Sequence, residues 1–157
     1  MKPLPLCLAI VLGLLAAAGC NKNDCLSSDI SIENYVQDSI GNFTQYLTGP
    51  DDTTSTGLYY RIVTPGDTVR PQLTDTVVFT YTGRTTGDDI FGQTGDSPLA
   101  LPLAGLIRGW QFGLPLIGQG GRIMLYIPSR LGYASSQAGE VCPDTDLIFD
   151  VTLQEVR

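Results

Sequence analysis

The sequence predicts an α+β fold: a mainly antiparallel sheet of about five strands, one apolar face covered by a single short helix, with a further short helix ahead of it. Two observations carry this. From Gly57 onward, apolar residues recur at every second position in separate runs, the mark of half-buried strands; parallel strands buried on both faces would read as unbroken apolar runs. Within that region only residues 105–113 keep helical spacing.

Taken in order, Ile30, Ile32, Val36, Ile40, Phe43 and Leu47 recur every three or four residues and predict one helical face, capped by Ser31 with Asn34 or Ser28 with Asp29 and weakened at Gly41. Residues 51–56 form a polar spacer. The first strand carries Leu58, Tyr60 and Ile62 on one face and ends at the turn Thr64-Pro65-Gly66-Asp67. In the next, Val77, Phe79 and Tyr81 oppose Val78, Thr80 and Thr82, and Gly83 closes it. Leu99, Leu101 and Leu103 alternate again, as do Ile123, Leu125 and Ile127 before Pro128, and Leu147, Phe149, Val151 and Leu153. The covering helix sets Leu106, Trp110 and Gly113 on one side, with Ile107 and Leu114 beside them, until Pro115 forbids another regular turn. Gly109 costs that helix ~1 kcal/mol relative to alanine, so a close approach to its backbone is expected.

Composition narrows the chemistry. At 157 residues the chain has room for one domain behind a processed N-terminus. A net charge of −7 opposes binding to polyanions, since nucleic-acid affinity rests on Lys and Arg displacing counterions. No histidine is present, which removes imidazole bases, Ser-His-Asp and Cys-His arrangements and His-ligated zinc; no cofactor or metal is expected. The N-terminus has Lys2, an apolar run from Leu4 to Ala18, and small residues. That run is short of the ~20 residues that span a bilayer. Ala17-Ala18-Gly19-Cys20 resembles the bacterial lipobox, so residues 1–19 are expected to be a signal and Cys20 the lipidated first residue of the mature chain. Asn21 favours the outer membrane, facing the periplasm or the cell exterior. Residues 20–56 would then be a tether and 57–157 the domain, a monomer held to the membrane by lipid alone. With Cys7 removed and Cys20 acylated, Cys25 and Cys142 remain as an even pair in an oxidising space, either a disulfide or two independent thiols.

Tyr81 and Phe149 are in phase with the buried faces of their strands, and Phe91 follows a polar turn. By pattern alone these rings and Trp110 either pack a core or line a cavity. The order of short motifs adds to this: Val78-Phe79-Thr80-Tyr81-Thr82-Gly83, Phe91, Leu106-Ile107-Arg108-Gly109-Trp110, Gly118-Gln119-Gly120-Gly121-Arg122, Ile127-Pro128-Ser129-Arg130-Leu131-Gly132-Tyr133 and Leu147-Ile148-Phe149-Asp150-Val151. Over roughly residues 57–157 this succession resembles the FKBP-type, macrolide-binding peptidyl-prolyl cis-trans isomerases.

The resemblance implies a strongly bent antiparallel sheet wrapped around the short helix, with a prolyl ring inserted between them. Trp110 would be the floor under that ring, and Leu106 and Ile107 the wall, with the Ile107 N–H offered to a substrate carbonyl. Tyr81, Phe91 and Phe149 would fill the sides, Tyr133 would hydrogen-bond the peptide from a long loop, and Leu99 and Val141 would add apolar contacts. The implied function is isomerisation of X-Pro bonds in exported polypeptides, with macrolides as inhibitors. Three features depart from the family pattern, one of them Leu99 in place of a common phenylalanine. Gly92 stands where an aspartate usually follows the phenylalanine, with Asp89 the nearest acid before Phe91, and the loop reads Gly132-Tyr133-Ala134 in place of Ala-Tyr-Gly. Gly92 keeps two other readings open: a chaperone or proline-peptide binding module on the same fold, or an envelope scaffold.

Overall fold

The computed structural model describes residues 25–38, 43–47 and 55–157. The signal, Cys20, Ile40 and residues 51–54 of the spacer lie outside them. Seven strands form one antiparallel sheet in the order β1 (Thr44–Leu47), β2 (Ser55–Thr64), β6 (Arg122–Ile127), β7 (Leu147–Val156), β3 (Thr76–Thr85) and β4 (Ile90–Gln93). The seventh, β5 (Leu99–Pro102), shares the outer edge of β3 with β4: β5 pairs with Thr76 to Phe79, and β4 with Thr82 to Arg84. Helix α2 (Arg108–Gly113) lies on one face, continued by a 3-10 turn at Leu114–Leu116.

Alternation places the core. Leu58, Val77, Phe79, Ile123, Leu125, Ile127, Leu147, Val151 and Leu153 project from one face of the sheet onto Trp110 and Leu114 and are all but inaccessible to solvent. Burying each such side chain stabilises the fold by ~1.5–3 kcal/mol. The close approach expected at Gly109 is made by Ile127: a Cβ on that glycine would stand 2.6 Å from the isoleucine side chain. Gly113 abuts Leu125 still more closely. These two glycines let helix and sheet meet backbone to side chain, and Gly113→Ala is therefore expected to destabilise by ~1–3 kcal/mol through overpacking. Helix propensity alone would give the opposite sign, a gain of ~1 kcal/mol, so a denaturant midpoint decides between the two.

The expected helical face from Ile30 to Leu47 is divided. α1 covers only Ile32–Asp38, Ile30 is exposed ahead of it, and Thr44–Leu47 pairs with β2 as a strand. A helix this short is marginal by itself, and β2 offers the later residues a ladder of hydrogen bonds instead. Of the two candidate caps, Ser31 serves α1, its Oγ accepting the Asn34 N–H at 3.3 Å. β1 and β4, four residues each, are the strands absent from the expected five.

Three alternating residues miss the core. Ile62 is exposed where the β2–β6 register slips between Ile62 and Thr64. Leu99 and Leu101 belong to an edge strand whose four residues are all exposed. The sheet's other face also holds a small apolar cluster: Ile32 of α1 packs on Tyr126 and Ile148, and Phe43 meets Tyr126 edge-on at 4.7 Å. Cys25 and Cys142 are joined by a disulfide, Cα to Cα 5.1 Å.

Candidate active site

The turn before α2 is fixed by local hydrogen bonds. Leu106 donates its N–H to the Leu103 carbonyl, and the Gln111 side-chain amide reaches back to the carbonyls of Ala104 and Leu106 at 3.1 and 2.8 Å. Ile107 is the extended residue at the helix start, and its carbonyl accepts the N–H groups of Trp110 and Gln111. The Ile107 N–H itself has no hydrogen-bond partner among the described residues. It is a free donor at the edge of the cleft that this turn walls.

Trp110 is 4% exposed and forms the bottom of that cleft. Phe79, Tyr81 and Phe149 stand around it edge to face, with ring centroids at 4.8, 5.7 and 5.2 Å and interplanar angles of 70°, 81° and 87°. This is the arrangement aromatic quadrupoles favour. The indole Nε1 is buried without a partner among the described residues, a cost of about 1–3 kcal/mol. Position 110 is thus occupied for a ring face and not for a hydrogen bond.

Above the indole the cleft holds about 240 Å³. That is below the ~300–1,000 Å³ typical of sites for drug-sized ligands, and suits one ring with its flanking backbone. Leu106, Ile107, Tyr81, Phe149, Tyr133 and Leu99 line it together with Trp110, as do Phe79, Leu101 and Gly105. No charged side chain is among them. Burial, with a smaller contribution from Tyr81, pushes the Tyr133 phenol above its ordinary value, so it stays protonated and able to donate.

Two residues expected at the cleft lie elsewhere. Phe91 stacks edge-on against Phe149 at 5.5 Å and backs that ring without lining the cleft. Val141 is 1% exposed inside the core, where it also pairs with Leu26 and Ala138. Phe79, Leu101 and Gly105 were missed. The first two share a strand face with Tyr81 and Leu99, a signal that was available; nothing in the neighbours of Gly105 singles it out. At Gly92, a Cβ would fall 2.9 Å from the Tyr81 hydroxyl, so the missing side chain is one that would have met that phenol. Asp89 is exposed in the turn before β4, outside the cleft lining.

The chain that forms this cleft between a short helix and an antiparallel sheet matches known proteins. The family model described as FKBP-type peptidyl-prolyl cis-trans isomerase matches residues 67–154. The chain belongs to this family. The FKBP-type isomerase FkpA of Escherichia coli K12 is 39% identical over 107 residues, which cover 67% of this chain and 40% of that protein. The isomerase Mip of Coxiella burnetii is 32% identical over 108 residues, 67% of this chain and 47% of that one. The crystal structure of Escherichia coli FkpA superposes with a TM-score of 0.62 at 38% identity, covering 65% of this chain and 49% of that one. Each match takes in less than half of the relative, so the shared part is the FKBP-type domain. Within it, this FKBP-type chain has Trp110 at the bottom of the cleft and glycine beside the Tyr81 hydroxyl.

Proposed function

We propose that the chain catalyses cis-trans isomerisation of X-Pro bonds in exported polypeptides, with the cleft over Trp110 as its active site. The observation that carries this reading is the union of an aromatic floor with an absence of charge in the lining. Rotation about a peptide bond meets a barrier of ~18–20 kcal/mol because the planar amide is resonance-stabilised. At X-Pro bonds the uncatalysed exchange takes tens to hundreds of seconds. In the twisted transition state the nitrogen lone pair no longer delocalises into the carbonyl, charge separation falls, and water loses its advantage in solvating the amide. A dry aromatic slot therefore favours the twisted form relative to water. The free Ile107 N–H and the protonated Tyr133 hydroxyl are donors suited to holding the peptide carbonyls on either side. No nucleophile or base enters. Catalysis of a proline-limited refolding reaction by the mature chain tests the reading, and an unaltered rate at micromolar protein defeats it.

The pH profile gives a second test. With no carboxylate, amine or imidazole in the lining, kcat/KM is expected to stay flat from about pH 6 to 9. Because the folded-state value of Tyr133 is raised, its protonated form is the one folding favours. That contribution is complete below the ordinary tyrosine value of 10.0 and is lost only as pH rises through the raised one. A bell-shaped profile centred near neutrality would contradict a mechanism without acid or base.

Gly92 favours a second reading, a proline-peptide binder or chaperone, because the Tyr81 hydroxyl it faces has no hydrogen-bond partner among the described residues. A binder would slow refolding or leave it unchanged while still shifting Trp110 fluorescence on adding a proline peptide or macrolide. The lipobox residues and the Cys25–Cys142 bond, which suits an oxidising compartment, support a lipid-anchored protein of the outer membrane that acts as a monomer. Loss of membrane association in Cys20→Ala would test the anchor.

A further inference from the structure

Tyr133 reaches the cleft from residues 128–146, whose only helical element is the short turn Ser129–Leu131. Its two chain neighbours are fixed by one atom: the N–H groups of Gly132 and Ala134 both donate to the Ser129 carbonyl, at 2.9 and 2.8 Å. Ala134 lies at φ 52°, and so does its partner nearly, since Asp144, whose N–H donates to the Ala134 carbonyl at 2.7 Å, has φ 59°. Non-glycine residues hold such conformations where the surroundings over-determine them.

The surroundings here are the arm ahead of the sheet. The Ser129 N–H donates to Asp146 Oδ1 at 2.7 Å, and Asp146 Oδ2 accepts the N–H of Ile32 at 2.9 Å. Ile32 is fully buried. One carboxylate thus grips both the start of the Tyr133 loop and the start of α1. At the far end of the loop Cys142 is bonded to Cys25, while Leu26 donates to the Glu140 carbonyl at 2.6 Å and accepts from the Cys142 N–H at 3.0 Å. The Thr86 hydroxyl holds the Ile30 carbonyl between these anchors, at 2.6 Å.

We propose that residues 25–32 are a strap that sets Tyr133 over the cleft, with Asp146 as the positioning residue through which it acts. Only a carboxylate serves both N–H groups, because an amide offers one acceptor oxygen and turns a donor toward the other. The kinetic part rests on the isomerase reading. A hydroxyl that holds the peptide equally before and during bond rotation contributes uniform binding, so misplacing it raises KM and spares kcat.

The experiment compares Asp146→Asn, Tyr133→Phe and the double variant in the full mature chain. Asp146→Asn is expected to raise KM for a prolyl tetrapeptide by up to about tenfold, the upper worth of the neutral hydrogen bond that Tyr133 would give the peptide, with kcat within about twofold. In the Tyr133→Phe background the same change should add less than about twofold, because the two act through one contact. Amide exchange at Gly132 and Ala134 should quicken about tenfold in Asp146→Asn while β6 and β7 amides keep their rates. Fully multiplicative effects in the double variant, or a fall in kcat at constant KM, would overturn the positioning role. Unchanged exchange at Gly132 and Ala134 would overturn the strap even if the wild-type protein proved inactive, an outcome that would defeat the isomerase reading separately.

Discussion

Trp110→Leu is expected to lower kcat/KM for prolyl isomerisation by about 30- to 100-fold while the chain still folds, because each tenfold corresponds to ~1.4 kcal/mol of transition-state stabilisation. The stability cost comes from the three aromatic edges that converge on the indole and from its near-complete burial. Large-to-small changes at such sites cost ~3–5 kcal/mol when cut back to alanine, and leucine refills part of the volume, so about 2–3 kcal/mol is expected here. Activity falls further than the loss of folded protein explains, since a leucine floor leaves a gap and admits water to a slot whose value lies in being dry. Tyr81→Phe removes only a hydroxyl without a partner among the described residues and keeps the ring that braces Phe149 and Trp110. Its loss should stay within about threefold. The measurements are proline-limited refolding, peptide isomerisation and a circular dichroism spectrum for each variant. Wild-type rates in both variants would move the chemistry away from this cleft.

The same indole shows how far the sequence reaches. Trp110 at helical spacing beside Gly109, and Tyr81 and Phe149 in phase on their strands, were enough to bring these rings to one face, because period-two alternation and close-packing glycines are local signals with a single geometric meaning; whether they fill a core or line a cleft was open by pattern, and only the resemblance implied floor and walls. The order of motifs supplied the family. What was not legible depends on contacts between distant segments. Leu99 and Leu101 alternate as core residues do, yet they lie on an edge strand with no layer beyond it and become the rim of the cleft. Val141 is apolar and near the loop, but Cys142 draws its segment onto Leu26 and into the core. Tyr126 and Ile148, on the face opposite the alternating apolar residues, are buried where α1 folds across them. The run from Ile30 to Leu47 keeps one helical period throughout, and no local rule says that its last residues pair better with β2 than with their own preceding turn.

That arm brings the other large effect. Removing the disulfide in Cys25→Ser with Cys142→Ser is expected to cost about 2–4 kcal/mol, the range measured for native bonds. The bond closes a loop of sequence separation 117, and chain entropy alone would assign ~4.7 kcal/mol to a loop of about that length. At roughly 2–4 °C per kcal/mol for a chain of this size, the thermal midpoint should drop by about 4–16 °C. The loss should not be uniform. With the bond intact, Cys25 stays fixed beside the buried Val141, so residues 26–38 that loosen remain tethered and re-dock. Without it, they are held by the hydrogen bonds of Leu26, Ile30 and Ile32 and by the packing of Ile32, Tyr35 and Val36 on Tyr126 and Ile148, so the arm can detach as a unit while the sheet persists. Protease nicking within residues 25–38 should therefore precede loss of Trp110 fluorescence in the double variant, and the two should coincide in the oxidised protein. Dithiothreitol on the wild type should reproduce the variant, since it leaves the same contacts without the bond. If midpoint and nicking order both match the oxidised protein, the hydrogen bonds and Ile32 hold the arm unaided, and Asp146 then becomes the stronger of the two anchors.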